Sequence, residues 1–248
     1  MLHRVFAALG LACAATGGMA ADVTVSAAAS LTNAFRELGG AYEAAHPGGK
    51  VLLNFAASDT LVQQIAKGAP VDVFASADED AMDKAEAQKL LAPGSRRIFA
   101  RNSLVLIAPA SSTLAVPDLN ALRQPSLRRL TTGNPASVPV GRYTREALEK
   151  AGVWTGIEER FVFATSVRQS LDYVARGEVD AGFVYATDVA AQAGKVKVLM
   201  PVPTPSPIRY PMAVLAAAPN AAGARQFAAF AMSAQGQAIL AKYGFGRP

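Results

Sequence analysis

Cysteine and histidine are almost absent from this 248-residue chain, which has one cysteine and two histidines. Cys13 and His3 fall in an N-terminal segment that we expect to be removed, so only His46 would remain. A chain without cysteine has no disulfide, no thiolate nucleophile and no cysteine metal site. A single histidine excludes paired-histidine zinc sites, and no Gly-x-Ser-x-Gly motif accompanies it. These absences argue against a hydrolase.

The first residues have the pattern of a secretory signal peptide. Met1 to Arg4 form a short positive region, residues 5–16 are apolar, and small residues precede two possible cleavage points, after Ala20 or after Ala21. The apolar stretch is too short to span a membrane. We therefore predict a signal peptide at residues 1–21, a mature chain beginning close to Asp22, location in the periplasm and no stable membrane insertion.

Composition and charge describe a packed, exported α/β protein. Hydrophobic residues make up 51% of the chain and charged residues 17%, which suits one large or two medium domains. The 24 basic residues outnumber the 19 acidic residues only slightly and are dispersed along the chain. Because no basic stripe with interleaved aromatics and no helix-turn-helix pattern is present, nucleic acid is not an expected partner.

Short apolar runs alternate with amphipathic stretches along the mature chain. This pattern predicts consecutive βα units with parallel pairing. The predicted strands are 23–27, 51–56, 71–76, 104–108, 129–132, 161–164, 181–185, 196–199 and 208–216. The predicted helices are 31–45, 58–67, 78–90, 142–151, 167–176, 187–194, 221–232 and 234–243.

The layout predicts two lobes with two open, mostly parallel sheets and flanking helices. Residues 22–102 and 212–248 would form the first lobe, and residues 103–211 the second. Strands 104–108 and 210–214 would join the lobes as a two-strand hinge. Two crossings allow closure around a ligand held in the cleft.

Ser30 lies where the first strand meets the first helix, among small residues. A helix start carries free N–H groups and a partial positive charge, so such a junction suits an anion. Ser58, the 138–141 loop, Val167 and Tyr185 fall at similar strand ends, where ligands bind in open α/β sheets. Only donors are wanted for a fully deprotonated oxyanion, so a pocket without a carboxylate should reject hydrogen phosphate.

Eight segments of the chain, in order, resemble the periplasmic molybdate-binding proteins of ABC-type importers, a type II periplasmic binding protein family. They are residues 27–34, 55–61, 68–78, 102–105, 138–141, 184–188, 210–211 and 242–245. The resemblance covers essentially the whole mature chain. It implies a monomeric two-lobed α/β protein, without catalytic activity or cofactor, that binds molybdate and often tungstate and passes it to an inner-membrane permease.

The resemblance also implies which groups contact the oxyanion. By position these are the hydroxyl and backbone of Ser30 and Ser58, the backbone N–H groups of Val140 and Val167, and the hydroxyl of Tyr185. The molybdenum atom would be held only through the oxygens of the molybdate ion, with no direct ligand from the protein.

Two alternatives remain open at the level of sequence. The same scaffold could bind another tetrahedral oxyanion, sulfate or phosphate, or the protein could be a periplasmic enzyme with Ser30 as nucleophile. One departure from the family pattern bears on the ligand, because Asp59 stands where a small hydroxyl residue is usual. An acid in a helix's first turn is normally a partner of the helix dipole that faces solvent. We expect this of Asp59.

Three further charged residues are expected to be structural. Arg168 follows Val167, but the family pattern uses neutral donors, so a structural or solvent-facing role is predicted for it. Asp72 and Asp78 flank the end of a strand, where caps and contacts between the lobes are expected rather than metal ligation.

Overall fold

The computed structural model describes residues 21–248, which form two α/β lobes, each built on a five-stranded sheet. The predicted signal peptide, apart from Ala21, lies outside the described residues. The first sheet has the strand order β2-β1-β3-β10-β4, and the second has the order β7-β6-β8-β5-β9. The strands are β1 Val23–Ala28, β2 Val51–Ala56, β3 Val73–Ala75, β4 Arg97–Asn102, β5 Leu104–Pro109, β6 Leu130–Gly133, β7 Phe161–Ala164, β8 Ala181–Tyr185, β9 Val196–Val202 and β10 Ile208–Val214.

Both sheets are mixed rather than mostly parallel. In the first, β1 pairs in parallel with β2 and β3, while β10 is antiparallel to β3 and β4. In the second, β6 pairs in parallel with β7 and β8, while β5 is antiparallel to β8 and β9. The antiparallel strands β10 and β5 are those that arrive from the other lobe. No crossover helix within the same sheet sets their direction, so the right-handed βαβ rule does not apply to them.

The chain crosses between the sheets through two short connections. Strand β4 ends at Asn102 and β5 begins at Leu104, so Ser103 alone separates the first sheet from the second. The return runs through residues 203–207, between β9 and β10. The predicted joining strands therefore lie inside the sheets, and β10 belongs to the first sheet from Ile208 onward. Prolines in 203–207 lack the N–H group that strand pairing needs.

Seven α-helices flank the sheets of the described chain. They are α1 Thr32–Ala45, α2 Ser58–Ala66, α3 Glu79–Ala87, α4 Pro139–Lys150, α5 Val167–Ala175, α6 Ala221–Met232 and α7 Ala234–Lys242. Helix α1 buries Phe35 and Leu38, and the Phe35 ring lies 5.7 Å from Phe99 and 6.1 Å from Phe227. Helix α6 packs on β1 and β10 and α7 packs on α1, so the C-terminal helices return to the first lobe as predicted.

Within residues 21–248, no helix has the length and apolar character needed to cross a bilayer.

Candidate functional site

A small pocket lies between the lobes, and all five predicted site residues line it. The residues that follow β1 and β2 on the first lobe face the starts of α4 and α5 and the end of β8 on the second lobe. Ser30, Ser58, Val140, Val167 and Tyr185 therefore come together although they are spread over most of the chain. The remaining lining residues are small or apolar: Ala28, Ala29, Ala57, Ala77, Val138 and Pro139.

The pocket collects the first residues of helices. Ser58 and Val167 are the first residues of α2 and α5, and Val140 is the second residue of α4. Ser30 lies in a 3-10 turn, Ala29–Leu31, directly before α1. The sequence predicted a loop at 138–141 and a helix from 142, which is wrong. Pro139 occupies the first helical position, where its fixed φ and missing N–H group suit a helix start.

Three of these helix starts have no side-chain cap, and one of them is the 3-10 turn that leads into α1. Helices α2 and α4 begin after Ala57 and Val138, neither of which accepts a hydrogen bond from the first turn. By contrast, Ser166 caps α5 by accepting from the backbone N–H of Gln169, and Asn220 and Ser233 cap α6 and α7, which begin away from the pocket. An uncapped start leaves backbone N–H groups available to a ligand. The pocket is therefore the place where free donors converge.

Glycine at position 141 allows the first turn of α4 to approach the neighbouring backbone. A Cβ atom at Gly141 would lie 2.0 Å from the carbonyl oxygen of Gly133 and 2.8 Å from the nitrogen of Pro135. Such contacts are far inside van der Waals separation. The position of Val140 in the pocket thus depends on the absence of a side chain at the next residue.

Three hydroxyl groups complete the lining. The Oγ of Ser30 lies 2.9 Å from the hydroxyl of Tyr210, and the Oγ of Ser58 accepts a hydrogen bond of 3.0 Å from the backbone N–H of Ala77. The hydroxyl of Tyr185 is buried and has no hydrogen-bond partner among the described residues. Burial raises the pKa of Tyr185 well above its usual value, so the group stays protonated and can only donate or accept as a neutral hydroxyl.

No charged residue lines the pocket. Its polar groups are hydroxyls and backbone N–H groups, and no carboxylate is present to accept a proton from a ligand. A site of this kind replaces the hydration of an anion with oriented dipoles. It suits an anion that carries no proton.

Asp59 does not face solvent, so that prediction is wrong. The residue is 6% exposed, and its carboxylate lies 2.7 Å from Nη2 of Arg142 and 2.5 Å from Nζ of Lys84. Arg142 of α4, from the other lobe, and Lys84 of α3 both contact the Asp59 carboxylate. Arg142 supplies the charge partner that burial demands. Asp59 also does not line the pocket.

Arg142 binds a second carboxylate across the cleft. Its Nε donates to Oδ2 of Asp78 at 2.8 Å, and Asp78 also accepts from the backbone N–H of Ala81 at 3.1 Å as the cap of α3. Burial raises the pKa of Asp78, and the charge of Arg142 opposes that rise. The prediction that Asp78 caps a helix and joins the lobes is confirmed.

The two other charged residues are also structural, as predicted. Asp72 accepts hydrogen bonds from the backbone of Thr24 at 2.8 Å and of Asn220 at 2.6 Å. Arg168 pairs with the buried Asp188, with Nε 2.9 Å from Oδ1, and its Nη2 lies 3.4 Å from the carbonyl oxygen of Ser30. Arg168 thus reaches from the second lobe to the backbone of the first.

The lone histidine of the described chain is remote from the pocket. His46 ends α1, stacks on the Tyr42 ring at 4.2 Å and places Nδ1 3.0 Å from the Tyr42 carbonyl oxygen. Among residues 21–248, the hydroxyls of Ser30 and Ser58 have no hydrogen bond to a histidine or a lysine. The pocket offers neither serine a general base.

The sequence reasoning missed Arg142 as a partner of Asp59. A signal was present, since an arginine in the first turn of a helix opposes the helix dipole and needs another reason to be there. Asp59 gave a second signal, because it stands in the first lobe where the family usually has a small hydroxyl residue. Asn102 and Tyr210 belonged to the matching segments, but no role was given to either of them.

Known proteins resemble this chain over nearly its full length. The family of bacterial extracellular solute-binding proteins matches residues 23–246. The molybdate-binding protein ModA of Escherichia coli K12 is 36% identical over 250 residues, which cover 98% of this chain and 96% of that protein. The solved periplasmic molybdate-binding protein of Azotobacter vinelandii has a TM-score of 0.81 at 27% identity, covering 92% of this chain and 100% of that one.

A second solved structure shares the fold alone. The sulfate-binding protein SubI of Mycobacterium tuberculosis has a TM-score of 0.80 at 21% identity, covering 91% of this chain and 86% of that one. Fold similarity by itself therefore does not distinguish molybdate from sulfate.

Proposed function

Because the chain belongs to the bacterial extracellular solute-binding proteins, we propose that it binds molybdate, and also tungstate, in the pocket between its lobes. It would deliver the anion to the permease of an ABC importer in the inner membrane. The observation that carries the proposal is the convergence of three hydroxyls and several helix starts on one uncharged pocket. The 36% identity to a molybdate-binding protein supports the choice of ligand.

The five lining residues have complementary roles in this proposal. Ser30 and Ser58 hold the anion on the first lobe through hydroxyl and backbone, while the N–H groups of Val140 and Val167 and the Tyr185 hydroxyl close over it from the second. Moving an ion from water to a dry site costs about 20 kcal/mol in the idealised case. Oriented hydroxyl and N–H dipoles offset that cost without a buried cation.

No cofactor and no direct metal ligand are needed for this function. The molybdenum atom is held through its oxygens, which accept the hydrogen bonds of the pocket. We also infer that the mature protein is a monomer in the periplasm and that export removes residues 1–21. N-terminal sequencing of the mature protein should begin at Asp22 or one residue earlier.

Sulfate is the nearest alternative ligand, since it is also a tetrahedral dianion without a proton. Phosphate is a weaker alternative because it retains a proton at neutral pH and the pocket lining has no carboxylate to accept it. A competition titration of the ligand-stripped protein tests the choice. We expect molybdate and tungstate to displace each other and sulfate to displace neither at equal concentration. Tighter binding of sulfate than of molybdate would overturn the proposal.

The enzyme alternative makes a separate prediction. A nucleophilic Ser30 should react with a serine-directed fluorophosphonate probe, which requires a nearby base. The Ser30 hydroxyl bonds only to Tyr210 among the described residues, so we expect no labelling. Stoichiometric labelling that is lost in the Ser30→Ala variant would favour the enzyme.

A further inference from the structure

Tyr210 is a buried residue behind the pocket that connects the crossing between the lobes to Ser30. Its side chain is fully buried, and its hydroxyl lies 2.9 Å from Oγ of Ser30 and 3.2 Å from Nδ2 of Asn102. Asn102 is the last residue of β4, directly before the chain crosses to the second lobe. The side chains of Asn102, Tyr210 and Ser30 thus form a hydrogen-bonded relay that ends at the pocket.

The direction of this hydrogen-bond chain is fixed at Asn102. The Oδ1 atom of Asn102 accepts from the backbone N–H of Ser103 at 2.9 Å, and a backbone N–H can only donate. The amide nitrogen must therefore face the other way, where it donates to Tyr210 and, at 2.9 Å, to Oγ1 of Thr187.

The remaining protons follow from that orientation. The Tyr210 oxygen accepts from Asn102, so its own proton is available to Oγ of Ser30. Ser30 then accepts from Tyr210 and keeps its proton for the pocket. Ser58 is in the same condition, because its Oγ accepts from the N–H of Ala77 at 3.0 Å. In both serines a protein donor then occupies one acceptor lone pair of Oγ, which leaves the hydroxyl proton free to be donated to a ligand.

We propose that Asn102 and Tyr210 are positioning residues that hold Ser30 as a donor and thereby make the pocket select oxyanions without a proton. This inference rests on the proposed function of the same site and adds the residues that enforce its selectivity. Without Tyr210's proton, Oγ of Ser30 could accept one from a ligand. Hydrogen phosphate would then gain a partner that the native pocket denies it.

The Tyr210→Phe variant removes the hydroxyl and keeps the ring that packs edge-on against Phe99 and Phe245, at 6.3 and 5.5 Å. We expect molybdate to bind about five- to twentyfold more weakly, the effect of one lost hydrogen bond. Phosphate at neutral pH should lose less or gain affinity, so the ratio of the two dissociation constants narrows at least about fivefold. Equal changes for both anions, or no change in either, would overturn the inference.

Tyr42→Phe is the matched control. Tyr42 lies in the same lobe, and its hydroxyl donates to Oε1 of Gln226 at 3.4 Å, away from the pocket. The molybdate-to-phosphate ratio of this variant should equal that of the wild type. A shift as large as in Tyr210→Phe would show that the ratio responds to lobe stability in general and would overturn the relay.

The Asn102→Asp variant reverses the chain with almost no change of shape. A carboxylate at position 102 accepts only, so the Tyr210 proton turns toward it and the Ser30 proton turns toward Tyr210. Oγ of Ser30 then presents a lone pair to the pocket. We expect the ratio of the molybdate and phosphate dissociation constants to narrow more than in Tyr210→Phe. A cooperative thermal unfolding transition would confirm that the variant is folded.

The double variant, Asn102→Asp with Tyr210→Phe, separates the reversal of the hydrogen bonds from the effect of the added negative charge. In the Tyr210→Phe background the added charge at position 102 remains, but there is no tyrosine hydroxyl through which it can reorient Ser30. Asn102→Asp should therefore have little further effect on the ratio of the molybdate and phosphate dissociation constants. An equal effect in both backgrounds would overturn the relay. Wild-type protein that binds no molybdate would overturn the proposed function and the relay with it, whereas wild-type binding with unchanged ratios would overturn the relay alone.

Discussion

Nη2 of Arg142, in the first turn of α4, donates to Oδ2 of Asp59, in the first turn of α2, at 2.7 Å. This contact joins the two lobes beside the pocket. Asp59 directly follows Ser58, and Arg142 lies two residues after Val140. The ion pair thus connects two of the helix starts that supply donors to the ligand. It offers a direct route from lobe closure to ligand affinity.

Replacing Arg142 with glutamine should weaken molybdate binding by about 2 kcal/mol or more, or roughly thirtyfold. Asp59 and Asp78 are buried carboxylates that would lose their shared partner, which disfavours the closed arrangement. Calorimetric titration measures the effect. Arg145→Gln on the same helix is the control, since Arg145 is half-exposed and its contacts with Glu149 and the Trp154 ring lie within the second lobe. Equal affinities of the two variants would contradict a role for the contact in closure.

Tyr185→Phe should separate ligand affinity from stability. The Tyr185 hydroxyl has no hydrogen-bond partner among the described residues, so its removal should leave the melting temperature of the ligand-free protein unchanged or slightly raised. Molybdate affinity should fall by about 1 to 3 kcal/mol, since the donor to the anion is lost. A large drop in the melting temperature with unaltered affinity would show that the hydroxyl serves the fold instead.

Gly141→Ala should destabilise the protein and weaken binding together. The new Cβ would lie 2.0 Å from the carbonyl oxygen of Gly133, so the start of α4 has to shift, at a cost of about 1 to 3 kcal/mol. Gly40→Ala in α1 is the control, because nothing lies within 4 Å of the Cβ that it adds. Alanine there should stabilise the helix slightly. If the close approach matters, urea unfolding should show a lower free energy of unfolding for Gly141→Ala than for the wild type and a slightly higher one for Gly40→Ala.

Asp188 should make stability fall as pH rises. Burial raises the pKa of Asp188 to about 6 from 3.8, although the charge of Arg168 opposes the rise. The folded protein therefore holds this proton more tightly than the unfolded chain. The contribution of Asp188 to the free energy of unfolding declines between about pH 4 and pH 6 and is level above that range.

The Asp188→Asn variant reports this contribution. It lacks the ionisation, so the unfolding free energy of the variant minus that of the wild type should increase with pH across the same window. Urea unfolding at several pH values measures the difference. A difference that does not vary with pH would mean that Asp188 titrates alike in the folded and unfolded states.

The two-lobed fold and the grouping of the five pocket residues could be predicted because both depend on local patterns. Strand-to-helix junctions with small residues mark the carboxyl ends of strands, and Ser30, Ser58 and Val167 all lie at such junctions. The start of α4 was placed three residues late, because a sequence rich in glycine and proline resembles a loop even when Pro139 opens a helix.

Contacts between distant segments could not be predicted from local pattern. Arg142 and Asp59 are 83 positions apart and meet only because the lobes pack face to face. Asp59 alone looked like an ordinary first-turn acid. Likewise, the orientation of Asn102 depends on the backbone of Ser103 at the crossing, which no periodicity encodes.

The most direct test of the proposed function is calorimetric titration of the purified, ligand-stripped mature protein with molybdate. We expect saturable binding of one anion per chain at micromolar concentrations or below. Absence of binding by molybdate and tungstate at those concentrations would contradict it.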